Sequence, residues 1–404
     1  MYNRSELYNV RFIEMRNIYD INEQLNVIGV DPKEYDSLVD KFRFYSIKVE
    51  NVDTRGANLI EKYLNQLGGV AAMSSEARSY TIRKTDLLLS GSKHIFSLLI
   101  LKLRQEPFGL DELALELKKC IESDNGVMIW DDRVLDFHEK IYVMGILNST
   151  PDSFFEESRV TSVQKAVAKA EKMIKSGVDI IDIGGESSRP GANAVSEEEE
   201  IRRVIPVIQA IREKSQVIIS VDTRKKNVAE RALDSGADIV NDISGLKNNM
   251  EMAKLIARRK VPIILMHIRG TPKDMQDHPY YRNTVSEILR ELQSAVSKAM
   301  GAGIEHDKII IDPGIGFGKR LEDNLRIIRE LQSFKSLNLP LLIGLSRKSF
   351  IGQILDKPVE KRLIGTIVAN TVAILNGANI IRVHDVGQTV EMVKIIDSIR
   401  SIEL

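Results

Sequence analysis

The sequence predicts an α/β chain: a closed (β/α)8 barrel preceded by a small N-terminal α/β or α+β domain. Three observations carry that reading. From about Ile141 onward, short runs rich in Ile and Val alternate with longer amphipathic stretches, the pattern of parallel strands covered by helices. Eight such runs fall within about 265 residues, the size of a TIM barrel, which takes ~250. Polar residues stand at the C-terminal end of every run, where a barrel gathers them around one site. An open doubly wound sheet is the alternative, and it offers no reason for polar residues at each strand end.

The chain has 404 residues, more than one core usually holds, so two domains are expected. The first, residues 1–135, mixes patterns. NEQLNVIGVD reads as a helix stopping at Gly29, FRFYSIKVENV alternates like a strand, and ANLIEKYLNQLGG returns to helical spacing with a Gly-Gly stop. TDLLLSGS reads as a further strand, followed by helical KHIFSLLILKLRQ and LDELALELKKCIE. No catalytic motif stands out here. The segment DNGVMIWDDRVLDFHEK, with Trp130, is expected to bridge into the barrel or plug its bottom.

In the second domain, residues 136–404, the eight runs are YVMGIL (142–147), VDIIDIG (178–184), VIISVD (217–222), DIVNDI (238–243), PIILMH (262–267), KIIIDPG (308–314), PLLIGL (340–345) and NIIRVHD (379–385). Helices are expected at SVQKAVAKAEKMIKSG, SEEEEIRRVIPVIQAIREK, VAERALDSG and EDNLRIIRELQSF. The first and third stop at Gly177 and Gly236, as helix C-termini favour.

Composition narrows the function classes. Lys plus Arg (57) balances Asp plus Glu (57), which argues against a nucleic-acid surface built on broad positive charge. Cys120 is the single cysteine, so an intrachain disulfide and a cysteine-rich metal site are excluded and a reducing cytoplasm is the expected compartment. No apolar stretch approaches the ~20 residues of a membrane helix, and MYNRSELYN lacks the apolar core of a signal peptide.

The strand ends carry the chemistry. Asp222 in SVDT, Asn241 in VNDIS and Asp312 in IDPG offer two carboxylates and a carboxamide, suited to a flat heterocycle with amino, ring N–H and carbonyl groups. Taken singly, each reads better as a cap of the following helix; the convergence of three favours a shared ligand. SRKSFIG, directly after LPLLIGL, sets Arg347, Lys348 and Ser349 where a buried strand opens into a loop. With Arg189, Arg382, His384 and Ser188 they form a cationic and hydroxyl set matched to phosphate oxygens. Arg382 has a structural alternative, pairing with Asp385 or a carboxylate on another strand, and His267 is as readily a satisfied core residue as a contact.

DPGIGFGKR fits neither GxxxxGKS/T nor GxGxxG and is no ATP loop. Its glycines let backbone turn closely around a ligand, with Phe317 as an aromatic wall. His and Cys lack zinc-ligand spacing. A magnesium ion carried in with a diphosphate needs only one or two protein oxygens, and Asn148 and Asp152 in NSTPDSF are the nearest candidates.

In this order, MGILNSTPDSF, DIIDIGGESSRPGA, SVDTRK, GADIVNDISG, LMHIRGTPKDMQ, IIIDPGIGFGK, GLSRKSFIG and RVHDV resemble the dihydropteroate synthase family of folate biosynthesis, from about Ile141 to the C-terminus. The resemblance implies a cytoplasmic, homodimeric (β/α)8 transferase joining 6-hydroxymethyl-7,8-dihydropterin diphosphate to 4-aminobenzoate with magnesium. It further implies that Asp222, Asn241, Asp312 and Lys348 hold the pterin, and that Asn148 contacts magnesium. Ser188, Arg189, Arg382 and His384 would hold the diphosphate, while Phe317, Lys348 and Ser349 flank the aminobenzoate. On the same basis Arg347 suits structural support, and Asp182 and Glu186 join the ring of strand ends with roles left open. Departures from the family are Ser149 in place of Val, Glu157 and Ser158 in place of a Gly pair, and Ser188 in place of Thr. Two other functions compete: methyl transfer from a reduced folate to a corrinoid protein, which has no use for the diphosphate set, and non-catalytic pterin binding.

Overall fold

The computed structural model describes residues 13, 15, 18–122, 126–149, 159–187, 195–247 and 249–400, in two units, Met1–Ser123 and Asp124–Ser401. The first contains α1 (Ile18–Val27), α2 (Tyr35–Phe42), β1 (Phe44–Asp53), α3 (Thr54–Gln66), β2 (Val70–Ala72), α4 (Ser75–Arg78), β3 (Lys84–Ser92), α5 (Lys93–Leu103) and α6 (Leu110–Ile121). Its strands pair antiparallel in the order β1-β3-β2. Alternation along β3 buries Leu87 and Leu89 and exposes Asp86 and Leu88. The buried face packs on Ile60 and Leu64 of α3, Phe96 and Leu99 of α5, and Leu117 and Ile121 of α6. Antiparallel pairing makes this unit α+β, since parallel strands would need crossover helices. The short α2, β2 and α4 lie where no long periodic pattern announces them.

The second unit opens with a hairpin, β4 (Val127–Trp130) and β5 (Arg133–Asp136). The barrel follows: β6 (Tyr142–Asn148), α7 (Arg159–Lys175), β7 (Ile180–Gly184), α8 (Glu197–Arg212), β8 (Ile218–Asp222), α9 (Lys226–Asp234), β9 (Ile239–Asp242), α10 (Met250–Arg259), β10 (Ile263–Met266), α11 (Thr284–Gly301), β11 (Ile309–Asp312), α12 (Leu321–Arg329), β12 (Leu342–Ile343), α13 (Ser349–Leu355), α14 (Leu363–Leu375), β13 (Ile380–Val383) and α15 (Val386–Arg400). All eight expected runs are strands, and they form one sheet in the order β11-β10-β9-β8-β7-β6-β13-β12. A parallel bridge between Ile311 and Leu341 closes it, with Ile311 N donating to Pro340 O at 3.0 Å.

Closure buries both faces of each strand, which is why the strands read as unbroken apolar runs. Strand side chains facing outward, such as Ile181 and Ile183 of β7, share one core with helix residues such as Val204 and Ile208 of α8. At the N-terminal end of the barrel, Met128 and Trp130 of β4 and Leu135 of β5 join Tyr142, Ile180, Ile239, Ile264, Ile310, Leu342 and Ile380 in one apolar cluster. The hairpin is therefore the plug expected around Trp130. At the opposite end, strand register aligns Asn148 with Gly184, Gly184 with Asp222, and Asp222 with Asn241. Gly184 carries no side chain, which leaves room between Asn148 and Asp222.

Among the described residues, no helix is long and apolar enough to cross a membrane.

Candidate active site

Arg382 near the end of β13 reaches across the barrel mouth. Its Nε donates to Asp182 Oδ2 and its Nη2 to Asp222 Oδ2, both at 2.7 Å. Asn241 Nδ2 donates to the same Asp182 oxygen at 3.2 Å. Asp182 is wholly buried, a location a carboxylate tolerates only with a charged or hydrogen-bonding partner. Its second oxygen, Oδ1, has no partner among the described residues. Burial pushes Asp222 up to about 7, against the pull of the Arg382 guanidinium. Of the two structural alternatives for Arg382, Asp385 is not its partner; carboxylates on other strands are.

The second group sits beside this wall. Asp312 is buried, and its Oδ1 accepts from Gly314 N at 2.7 Å. Burial raises its pKa, while the Lys348 ammonium opposes that rise. Lys348 is lowered to about 8 by burial, with Asp312 holding it up. Its Nζ bonds Ile315 O and stands 4.8 Å from the centre of the Phe317 ring, within range of a cation–π attraction. None of Asp222, Asn241 and Asp312 caps a helix. Asp222 and Asn241 bond groups on other strands, and Asp312 takes the N–H of Gly314 in its own loop.

The glycines of DPGIGFGK are explained by close approach. A Cβ on Gly314 would lie 1.9 Å from His267 O, and one on Gly318 would lie 2.3 Å from Arg269 O; both residues have positive φ, 68° in each case. Only glycine tolerates both conditions.

At the rim, His384 is exposed, its Nδ1 lying 3.0 Å from Ser346 Oγ. Ser349 is exposed as the first residue of α13, and Asn148 is half-buried at the end of β6. Ser188, Arg189 and Asp152 lie outside the described residues, as do Glu157 and Ser158. Ser149 turns its hydroxyl away from the mouth, donating to Arg203 O at 3.1 Å.

One expectation is corrected. SRKSFIG does not present two cations, because Arg347 is held by Asp385 in a two-pronged pair, Nε to Oδ2 at 2.8 Å and Nη2 to Oδ1 at 2.7 Å. Its backbone is left-handed (φ 57°), and its N–H donates to Thr366 Oγ1 at 3.0 Å. Lys348 alone of this pair faces Asp312 and Phe317. Glu186 is likewise occupied, by Arg224 at 3.1 Å and Lys225 at 2.9 Å.

Sequence reasoning passed over Lys319 and Glu291. Lys319 Nζ lies 2.9 Å from His267 Nδ1, and His267 Nε2 lies 3.1 Å from Glu291 Oε2. The lysine of GFGK was visible, but its inward direction follows only from the turns at Gly316 and Gly318. Asp242 was also missed. Its carboxylate accepts from Ser244 N and Leu246 N at 2.8 and 2.9 Å, tying the turn after β9, and the D-x-S-G spacing was its signal.

The arrangement can hold a planar, donor-rich ring at its acidic wall, with the positive charge of Arg382 and Lys348 beside it for an anion. Among the described residues no three His, Cys, Asp or Glu side chains cluster as a metal site. Asn148 supplies one hard carboxamide oxygen, which fits an ion brought with a diphosphate.

Comparison with known proteins agrees with this chemistry. Residues 144–384 match the family described as pterin binding enzyme. The dihydropteroate synthase of Synechocystis is 46% identical over 267 residues, covering 66% of this chain and 92% of that protein. The crystal structure of Yersinia pestis dihydropteroate synthase with a sulfonamide drug covers 68% of this chain and all of its own, with a TM-score of 0.65 and 41% identity. A probable bifunctional folylpolyglutamate synthase/dihydropteroate synthase of Haloferax volcanii is 36% identical over 356 residues, 85% of this chain and 42% of that protein. That span exceeds the barrel unit, so the match reaches into the N-terminal unit. Matched over 92% of the Synechocystis enzyme and all of the Yersinia pestis one, with the acidic wall and the glycine loop within residues 144–384, the chain belongs to the dihydropteroate synthase family of pterin binding enzymes.

Proposed function

We propose specific roles for this chain's residues in the family reaction, in which 6-hydroxymethyl-7,8-dihydropterin diphosphate and 4-aminobenzoate give 7,8-dihydropteroate and diphosphate. The chain is a transferase of folate biosynthesis acting on small molecules. The observation that carries the assignment is the wall of Asp182, Asp222, Asn241 and Arg382 across the barrel mouth, flanked by Asp312 and Lys348. Asp222, Asn241 and Asp312 take the amino and ring N–H groups of the pterin, and Lys348 its ring acceptors. Phe317 and Ser349 border the arylamine. Arg382, anchored by Asp182 and Asp222, supplies fixed positive charge toward the leaving group. Ser188, Arg189 and His384 complete the rim.

The C–O bond between the exocyclic methylene and diphosphate breaks, and the electron pair leaves with diphosphate. The electron-rich pterin carries the developing positive charge on that methylene. The arylamine nitrogen then forms the C–N bond and loses its proton. Little proton transfer is demanded of the protein, so positioning and stabilisation of departing charge dominate. Magnesium, held at Asn148 when bound, would neutralise diphosphate oxygens.

A homodimer in the cytoplasm is the assembly proposed. Its support is the stripe of Ile364, Val368, Val372 and Leu375 on α14, exposed by 72, 58, 41 and 50%, spaced to lie along one helix face.

Purified protein given both substrates and magnesium should release diphosphate only when both are present. Diphosphate release without the arylamine, or none with both, contradicts the reading.

A further inference from the structure

The loop that carries Phe317 is held in an unusual way. Four successive carbonyl oxygens are each taken by a different side chain: Ile315 O by Lys348 Nζ, Gly316 O by Gln276 Nε2 at 2.8 Å, Phe317 O by Lys319 Nζ at 3.0 Å, and Gly318 O by Tyr281 Oη at 2.9 Å. Gly314, Gly316 and Gly318 all have positive φ, and such backbone loses more conformational freedom on ordering than any other. The location of the Phe317 ring is therefore set by what ties this backbone.

Lys319 is the most demanding of the four ties. It is 3% exposed, and its Nζ meets three acceptors: His267 Nδ1 at 2.9 Å, Phe317 O at 3.0 Å and His267 O at 3.4 Å. For Nδ1 to accept, His267 must carry its proton on Nε2, which faces Glu291 Oε2 at 3.1 Å. Glu291 Oε1 in turn accepts from Arg269 Nη2 at 2.7 Å. Burial lowers His267 to about 4, so the neutral ring persists at physiological pH and Glu291 selects its tautomer. Arg269 also covers the Tyr281 ring at 3.8 Å. One guanidinium thus begins two arms that end on adjacent carbonyls, Phe317 O and Gly318 O. Nothing in the transfer chemistry uses these groups directly, and burying an amine is costly unless it fixes something.

We propose that Lys319, braced through His267 by Glu291, is a positioning residue that sets the Phe317 ring against the arylamine substrate. This rests on the functional reading above. The pterin is held from β8, β9 and β11 and by Lys348 just before α13, and Lys319 bonds none of these residues, so loosening its tie should be felt more by the arylamine than by the pterin.

The test is steady-state kinetics of the full-length protein, varying each substrate in turn. Lys319→Met should raise the KM for 4-aminobenzoate about tenfold while the KM for pterin diphosphate stays within about threefold. Glu291→Gln, at a partly exposed position that does not endanger folding, should raise the 4-aminobenzoate KM alone by about threefold, and it decides the matter if Lys319→Met does not fold. Equal movement of both KM values, or movement of neither, overturns the proposal. A wild-type protein that releases no diphosphate overturns the functional reading instead.

Discussion

The same eight strands end in opposite chemistry. At their N-terminal ends Tyr142, Ile180, Ile239, Ile264, Ile310, Leu342 and Ile380 close on Trp130 and Leu135 without a charged group in the cluster. At their C-terminal ends Asp182, Asp222, Asn241, Asp312 and Arg382 are packed into a comparable enclosure, and their charges must be balanced against one another. The plugged end is built on apolar burial, with ion pairs such as Lys140–Asp179 and Arg133–Asp238 kept outside that cluster. The open end gives up some of that gain to keep unspent hydrogen-bonding capacity, of which Asp182 Oδ1 is the visible example. A barrel built this way separates the residues that hold it together from those that act.

Arg382→Ala should break the contrast most severely. Loss of the cation lowers kcat/KM by about a thousandfold, roughly 4 kcal/mol of transition-state stabilisation. It also leaves the buried Asp182 carboxylate without its guanidinium, so stability falls by about 3 kcal/mol; chemical denaturation alongside kinetics checks both. The bond to Asp182 is the reason this substitution should not spare the fold. Trp130→Ala at the plugged end should cost about 3–5 kcal/mol of stability and leave both KM values unchanged, as measured at a temperature where the variant remains folded. Lys348→Met should do the reverse. With a buried amine removed, kcat/KM falls about a hundredfold while the melting temperature holds or rises.

The smallest effect is the pH profile. Asp222 is protonated below about 7 and becomes an acceptor for the pterin's N–H groups above it, while Lys348 loses its charge above about 8. kcat/KM for pterin diphosphate should therefore rise through the first value and fall through the second, and Asp222→Asn should flatten the acidic limb.

Much of this contrast was legible in the sequence, for identifiable reasons. Strands buried on both faces leave unbroken apolar runs, so all eight appeared with their polar ends attached. Trp130 in a short apolar segment before the first run pointed to the plug. Asp222, Asn241, Asp312 and Lys348 stood out because polar residues closing apolar runs are otherwise unexplained. What stayed hidden depends on direction and on distant partners. Arg347 and Lys348 are neighbours in sequence, yet a left-handed backbone at Arg347 sends them to Asp385 and to Ile315 O. Arg382 could be matched to an anion from its type alone, but its bond to Asp182 spans 200 residues. Glu291 lies mid-helix in α11, where nothing in the local pattern separates it from a solvated surface carboxylate.

The most direct measurement is a crystal structure of the protein soaked with the pterin diphosphate. The account predicts the pterin ring within hydrogen-bonding distance, about 3 Å, of Asp222, Asn241 and Asp312, with the diphosphate extending toward Arg382 and His384. A pterin seated elsewhere on the barrel, or one that leaves the Asp182–Asp222–Asn241 wall untouched, would contradict it.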